Sequence, residues 1–565
     1  MLLITSNQVS TDFSLSLPNE PSTLEAMVEK RQELPVGIQD FVELRHCNAR
    51  YVDKTACISR LIQEVKYGFL SRPRRFGKSM LLSTIAAYFE GRKELFEGLY
   101  LEKAELELAQ QQGREAWGQH PVFYLDLTTG NYTQPDEIFT QLHFIFSKYE
   151  KHLGITIEPA YERALGARFE RLICTAYEQT GKQVVVLVDE YDKPLLHNFN
   201  KAAAAQQHEA NLNTLASVFS VLKSCDRYLR FGLIVGVTRF ARVSIFSSVN
   251  NLLDLSMMDN YAGLCGITEQ ELCANFMPEI EELARANDLS VAETFAQLKK
   301  DYDGYRFSKN GENVYNPFSL LNVLKNKDFG RYWFTAGTGN YLASFLEEAS
   351  LDIPSLDGGI EYSAQELEHY KAVREDAIPI LFQAGYLTIQ EYIPDEKLYR
   401  LRFPNDEVRY AFLSILFPSI FPANRTNTSR VIIQFKRAVV AGDVNGFMEQ
   451  IRTLIAACPY GNDRTATEDH YQTAVYLIFK LMGEFVLTEV HSAKGRADCI
   501  VFTDKKIYIF EFKLWSTGTP EDAIAQIKAQ GYATPYLTDG REVLLVGASF
   551  DEAQRTLGAW RVERL

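Results

Sequence analysis

Arg72-Pro-Arg-Arg-Phe-Gly-Lys-Ser79 decides how the N-terminal half of the chain is read. Its last three residues, Gly77-Lys78-Ser79, have the form of the end of a phosphate-binding loop. The strand-like run Tyr67–Ser71 precedes it, and the helix-like run Ser79–Glu90, stopping at Gly91, follows it. Strand, loop and helix is the context such a loop requires. Gly77 lets the backbone approach a phosphate, and the first N–H groups of the helix face an anion. Lys78 adds a point charge at the β/γ phosphates, and Ser79 offers a hydroxyl to Mg²⁺. One position departs from the general pattern: Arg72 stands where a first glycine is usual.

Working outward, Val184-Val-Val-Leu-Val188 is an apolar run of buried-strand type that ends in Asp189-Glu190. An Asp at that place can hold Mg²⁺, and the following Glu can polarise an attacking water. His120–Leu127 and Tyr228–Val237 are further buried strands, the latter ending in Thr238-Arg239. Helical stretches lie between them, near Ile138–His152, Tyr161–Thr180 and Asn211–Ser224. Alternating strands and helices predict an α/β fold with a mostly parallel sheet covered on both faces. Ligands of such sheets bind at the carboxyl ends of strands. The phosphate loop, Asp189-Glu190 and Thr238-Arg239 all lie at such ends. Thr238 is placed to sense a γ-phosphate and Arg239 to stabilise its developing charge.

The chain has 565 residues, too many for a single core, and 46% hydrophobic with 23% charged residues is the composition of a folded protein. Eight cysteines are scattered without a Cys-x-x-Cys pair, against a zinc site or a disulfide scaffold and for a reducing cytoplasm. No apolar run reaches the length of a membrane span, and the N-terminus lacks the basic and apolar regions of a signal peptide. A net charge of −14 disfavours a general nucleic-acid coating protein but leaves room for a local basic groove.

Residues 1–33 read as a mobile tail and 34–265 as the phosphate-binding domain. Residues 266–424 read as a mainly helical middle domain, opened by a capping box at Thr268-x-x-Glu271 and continued by Asn316-Pro317. Its aromatic-rich turns, Asp301–Phe307 and Tyr332–Thr338, are assigned to packing. A linker, Pro422–Ser429, leads to a C-terminal domain at 430–565.

That domain carries a second constellation. Asp498–Phe502, a turn centred between Asp504 and Lys505, and Ile507–Lys513 read as a hairpin. The register puts Phe502 opposite Ile507 and Asp498 opposite Glu511, with Lys513 on the same face as Glu511. Opposed carboxylates repel, and a hard cation between them removes the repulsion. Lys513 then orients or activates water, an arrangement suited to phosphodiester cleavage. Lys494-Gly-Arg496 is placed to receive a phosphate backbone, Gln526 and Gln530 share one face of the following helix, and His491 reads as a surface or packing residue.

Tyr51-Val-Asp-Lys54, Arg72–Ser79, Val188-Asp-Glu-Tyr-Asp-Lys-Pro194 and Gly236-Val-Thr-Arg-Phe240 together resemble the bacterial AAA-ATPase-like proteins. Gly495-Arg-Ala-Asp498 with Glu511-Phe-Lys513 resembles the PD-(D/E)xK nuclease domain that follows in that family. The resemblance extends over nearly all the chain beyond residue 33, and Arg72 is what that family has at its position. It implies a P-loop NTPase fold joined to a restriction-endonuclease-like fold, with ATP and Mg²⁺ as cofactors. The expected nucleotide contacts are Arg72, Arg74, Arg75, Phe76, Gly77, Lys78, Ser79, Asp189, Thr238 and Arg239. Ser79 and Asp189 are expected to hold one metal, and Asp498 and Glu511 another. Glu190, Asp498, Glu511 and Lys513 are the expected catalytic groups. Glu468, on the helix before the nuclease strands, resembles an extra helical acid of some relatives. The expected partner is nucleic acid, with DNA as the substrate; no membrane is implied, and a homo-oligomer is compatible. The competing expectation is a nucleotide-gated switch or scaffold whose nuclease domain is vestigial.

Overall fold

The computed structural model describes residues 32–196, 205–239, 245–246, 249, 251–333, 353–368, 377–421, 428–456, 468–482, 486–488, 491–492, 495–496 and 498–565. Residues 1–31 of the expected tail and 422–427 of the expected linker lie outside the described residues, and the last two linker residues, Thr428 and Ser429, begin the helix Thr428–Ala441.

Five parallel strands form the N-terminal sheet: β1 (Tyr67–Ser71), β2 (Val122–Asp126), β3 (Val184–Asp189), β4 (Leu229–Gly236) and β5 (Leu253–Asp254). Their spatial order is β2-β3-β4-β1-β5. β1 and β3 are buried along their whole length, as expected of strands covered on both faces. The helix Lys78–Phe89 is also buried almost throughout, so it is apolar all round rather than striped. The helices Glu137–Leu153 and Leu165–Thr180 match two expected stretches, except that Pro159–Tyr161 forms a separate 3₁₀ turn. The helix expected from Asn211 already begins at Ala205.

The middle region is mainly helical. Thr268 forms the expected capping box with Glu271, and Asn316 caps the helix that starts at Pro317. β6 (Ile267–Thr268) pairs with β7 (Val314–Tyr315). The region also contains an antiparallel sheet of order β8-β10-β9, built from β8 (Ile360–Ser363), β9 (Thr388–Ile393) and β10 (Leu398–Arg402), strands that the mainly helical expectation did not name.

The C-terminal sheet has the order β11-β14-β15-β16-β17. It comprises β11 (Val486–Thr488), β14 (Cys499–Phe502), β15 (Lys506–Leu514), β16 (Glu542–Asp551) and β17 (Thr556–Arg564); the short strands β12 (His491–Ser492) and β13 (Gly495–Arg496) pair separately. β15 and β16 run parallel, and the other pairs are antiparallel. One face of β15 carries Ile507 and Ile509 against Ile524 and Ile527 of the helix Pro520–Gln530. The opposite face carries Tyr508, Phe510 and Phe512. Phe510 packs against Phe479 of the helix Glu468–Leu481 and against Phe447 of the helix Val444–Ala456. One hydrophobic cluster runs from Leu82 and Ile85 beside the first sheet through Tyr386 and Phe412 to Phe447 and Phe510. The three regions thus share a continuous core among the described residues.

Candidate active sites

The phosphate loop turns on two residues with positive φ. Gly77 (φ 85°) is the N-cap of the helix Lys78–Phe89, and Arg75 has φ 66°. A methyl group built on Gly77 would meet nothing within 4 Å, so the backbone there is open to a ligand. No side chain caps the helix, which leaves its first N–H groups available to an anion. Lys78 is buried, and its Nζ donates to the carbonyl oxygens of Arg72 and Pro73, both at 3.0 Å. The ammonium is therefore held inside the loop that a phosphate would fill.

Ser79 Oγ donates to Asp189 Oδ2 at 2.6 Å, which joins the two halves of the site expected from separate stretches of sequence. The Tyr124 hydroxyl of β2 donates to the same oxygen at 3.3 Å. Asp189 is 2% exposed, and its Oδ1 has no hydrogen-bond partner among the described residues. Burial raises its pKa, opposed by the Ser79 hydrogen bond and the charge of Lys78. A buried oxygen without a donor fits a metal ligand. The next residue, Glu190, has φ 50°. A non-glycine residue in this left-handed region carries on the order of 1–3 kcal/mol of strain, of the kind that collects at functional sites. Glu190→Gln is expected to keep the metal ligand Asp189 and lower ATP turnover at least tenfold while nucleotide stays bound. Unchanged phosphate release in a steady-state assay would place the water-polarising group elsewhere.

The end of β4 departs from expectation. Thr238 is fully buried, and both its N–H and its hydroxyl donate to Asp192 Oδ2 at 2.6 Å. Val237 N–H donates to the same carboxylate, and the Tyr191 hydroxyl donates to the Thr238 carbonyl. A side chain at Gly236 would collide with Tyr191 and Asp192, at 2.6 and 2.7 Å. Tyr191-Asp192 therefore clamps the β4 end beside Asp189-Glu190, and the Thr238 hydroxyl is engaged in that clamp rather than facing a phosphate. Arg239 is buried and pairs through Nη2 with Asp254 Oδ2 at 3.0 Å, while its Nε and Nη1 have no acceptor among the described residues.

Arg72 is likewise turned inward. It is 1% exposed and donates to the carbonyls of Ser71, Ser256 and Tyr261, with its guanidinium 4.2 Å from the Phe307 ring centroid. Burial lowers its pKa to about 10, so it stays charged at neutral pH. In this structure its guanidinium braces the loop from behind; only its carbonyl faces Lys78. Arg75 stacks on Phe318 at 3.7 Å, and Phe76 packs edge-on to Tyr305 and Phe307. Arg74 is half-buried on the loop. Tyr305, Phe307 and Phe318 belong to the middle region, so the aromatic turn Asp301–Phe307 packs on the phosphate loop; of the turn Tyr332–Thr338, Trp333 packs on Tyr386 and residues 334–338 lie outside the described residues. Gln383 Oε1 accepts from Arg239 N–H at 2.7 Å, and a side chain on Gly385 would collide with Pro73.

The Tyr51–Lys54 stretch joins the same two regions. Lys54 pairs with Glu271 and Arg50 with Glu279, both on the helix Glu269–Ala286. An apolar cavity of about 150 Å³ lies between them, lined by Val52, Gly77, Met80, Ile267, Pro317 and Leu321 among others.

In the C-terminal sheet the expected register holds, with Phe502 opposite Ile507 and Cys499 opposite Phe510. Asp498 precedes β14 by one residue, and its Oδ2 accepts from Phe512 N–H at 2.7 Å, which sets it beside Glu511. Glu511 is 2% exposed; its Oε1 accepts from Lys513 Nζ at 3.1 Å, and its Oε2 is buried without a hydrogen-bond partner among the described residues. Burial, then the charge of Asp498, pushes the Glu511 pKa up to about 7, against the opposing pull of Lys513. Among the described residues there is no group of three or more acids, histidines or cysteines arranged to hold a metal. Two carboxylates suffice for Mg²⁺, which keeps several waters and completes its shell with phosphate oxygens. Lys494 and the side chains of Glu468, His491 and Arg496 lie outside the described residues.

Residues 35–246 match the family model described as "Predicted AAA-ATPase", and residues 466–560 match that of the PD-(D/E)XK nuclease superfamily. A protein of Azotobacter chroococcum mcd 1, described as "Uncharacterized protein in vnfD 5'region", is 34% identical over 543 residues, covering 95% of this chain and 99% of its own length. The chain belongs to this AAA-ATPase-like family with a C-terminal PD-(D/E)XK nuclease domain. The ATPase-like domain contains the Ser79–Asp189 pair, and the nuclease domain contains Asp498, Glu511 and Lys513. Within the ATPase-like domain, sequence reading missed Tyr124 and Asp192. Asp192 had a signal, an acid two residues beyond Glu190 in a chain that turns straight back into the core. Tyr124 had none, because a tyrosine within a buried strand reads as packing.

Proposed function

We propose that the protein binds and hydrolyses ATP at the Gly77–Ser79 and Asp189 site and cleaves phosphodiester bonds of nucleic acid, with DNA as the expected substrate, at Asp498, Glu511 and Lys513. Mg²⁺ serves both sites, and the domains are those expected from the sequence, 34–265, 266–424 and 430–565. The supporting observation occurs twice. Asp189 and Glu511 each keep one buried carboxylate oxygen without a hydrogen-bond partner among the described residues. An unsatisfied buried acceptor costs about 1–3 kcal/mol, and more when charged. A hard cation removes that cost and, when bound, neutralises phosphate charge and holds a water for attack.

The chain's own groups do the rest. Lys78 exchanges the Arg72 and Pro73 carbonyls for phosphate oxygens. Ser79 and Asp189 form the metal-binding corner, and Glu190 orients water. The apolar cavity beside Gly77 and Met80 receives the base. The inward Arg72 and the Asp192 clamp position the loop and the β4 end without touching nucleotide. In the nuclease domain Asp498 and Glu511 would hold the metal, and Lys513 would align the water.

Incubating the purified protein with Mg²⁺, ATP and plasmid, single-stranded DNA or RNA should release phosphate and cut at least one nucleic acid, both stopped by EDTA. ATP turnover without cleavage of any of the three would favour the switch reading, to which the net charge of −14 already lends weight.

The Glu511 carboxyl also sets a pH dependence. Its pKa of about 7 lies above the ordinary carboxylate value of 4.5. A raised carboxyl pKa adds stability that is complete below 4.5 and is lost as pH rises through about 7. In EDTA, the Tm should therefore fall between pH 5.5 and 8 by an amount that Glu511→Gln removes. Mg²⁺ should offset the fall. Thermal melts of both proteins across that range check this; parallel wild-type and Glu511→Gln curves would remove Glu511 as the source.

A further inference from the structure

Trp515 is 60% exposed, the most exposed of the large hydrophobic side chains among the described residues. It lies two residues past Lys513, where β15 ends. The strand geometry continues to it, because Trp515 N–H donates to Phe550 O at 2.9 Å, next to the Leu514–Phe550 pair that closes the β15–β16 ladder. Glu511, Lys513 and Trp515 therefore share one face of the strand. The helix Pro520–Gln530 covers that face at Ile507 and Ile509. Its first residue, Pro520, lies against Gly547, the partner of Glu511, and the face opens beyond that level, where exposure rises from 3% at the Glu511 side chain to 22% at Lys513 and 60% at Trp515.

The mount of the indole is rigid. Thr517 and Gly518 N–H both donate to Leu514 O, and Ser516 N–H donates to Glu552. An exposed indole on a fixed backbone loses little freedom on binding, having only two χ angles to order. Its distance along the strand from Lys513 is about 6.6 Å at 3.3 Å per residue. That is roughly two base steps at the 3.4 Å rise of a nucleic-acid strand. A chain of net charge −14 also gains little from general attraction to phosphates, so contacts that do not depend on charge carry more weight.

We infer that Trp515 is a stacking platform for an unpaired base beside the phosphate held at Asp498, Glu511 and Lys513, and that the nuclease centre accordingly selects single-stranded nucleic acid over duplex. A base paired within a helix presents only its edge, whereas every unpaired base presents a π-face, so the preference is for strandedness rather than sequence. The inference rests on the proposed nuclease function.

The test compares wild type, Trp515→Ala and Trp515→Phe on a single-stranded oligonucleotide and on the same sequence as duplex. Trp515→Ala should raise KM on the single strand on the order of 10- to 100-fold with kcat little changed. It should leave the duplex rate and the Tm unaltered, and Trp515→Phe should restore most of the loss. Of the four tryptophans, Trp117 and Trp333 are buried and Trp560 is half-buried, so added oligo-dT should quench wild-type emission through Trp515 and leave the alanine variant unquenched. An unchanged KM, or an equal loss on single strand and duplex, overturns the stacking role while the nuclease function stands. A wild type that neither cuts nor is quenched overturns the nuclease function and this inference with it.

Discussion

Lys78→Ala is expected to abolish ATP turnover, with kcat/KM lowered by at least about 100-fold, the scale seen when a preorganised donor to a developing charge is removed. Lys78 is the cation enclosed by the phosphate loop, and the carbonyls it now satisfies, those of Arg72 and Pro73, are the ones a phosphate would release. Alanine leaves these two carbonyls without their donor, so a modest fall in Tm accompanies the loss. Calorimetry with ATP and Mg²⁺ checks the binding, and wild-type affinity in the variant would remove the loop from the nucleotide site. The same variant reports on coupling. The phosphate loop packs on Tyr305, Phe307 and Phe318, and the β4 end is tied to Gln383. Further along, Asp357 of the middle region pairs with Lys480, on the helix that packs beneath the nuclease sheet. Domains joined by a packed core rather than a floppy tether can pass on a change of arrangement, provided ATP binds one arrangement better. Lys78→Ala is thus expected to change the rate of cleavage without eliminating it on a single strand.

Glu511→Ala is expected to eliminate cleavage and to leave ATP turnover within a few-fold of wild type. The carboxyl is buried beside Asp498 and Lys513, and its Oε2, without a hydrogen-bond partner among the described residues, is the strongest metal-ligand signal in the C-terminal sheet. Removing it takes out the proposed metal ligand and, at the same time, the carboxylate oxygen to which Lys513 donates at 3.1 Å. The isosteric Glu511→Gln separates fold from function: it retains an acceptor for Lys513, removes the repulsion from Asp498, and should raise the metal-free Tm at pH 8 while still abolishing cleavage. Activity lost in exchange for stability is the expected trade where a site holds unfavourable charge for its work. A Glu511→Ala protein that still cuts would displace the nuclease centre.

The two sites were legible in the sequence to different depths. Asp498 and Glu511 could be paired in advance because strand periodicity is two and a short turn fixes the register; the structure keeps that register at Phe502–Ile507. Gly77-Lys78-Ser79 and Asp189 were legible because each sits where a parallel strand ends. Thr238, Arg72 and Arg239 lie close to the expected places, but a strand end specifies position and not which way a side chain turns. Their directions are set by distant partners: Asp192 for Thr238, the 256–261 carbonyls for Arg72, and Asp254 for Arg239. The aromatic cover of the loop was invisible for the same reason, since Phe76 meets Tyr305 and Phe307 only after the middle region folds back. The three-stranded sheet of β8, β9 and β10 escaped because its strands are short, span from four to six residues, and alternate only partly.

A single parallel assay of wild type, Lys78→Ala and Glu511→Ala decides whether one chain houses two separate but communicating chemistries. Phosphate release and cutting of one labelled single-stranded oligonucleotide are followed together, with and without ATP. Wild type should do both, and its cutting rate should depend on ATP. Lys78→Ala should lose phosphate release and cut at a rate indifferent to ATP, while Glu511→Ala should lose cutting alone. If both variants lost both activities, or if ATP left wild-type cutting unchanged, two coupled sites would be the wrong description of this protein.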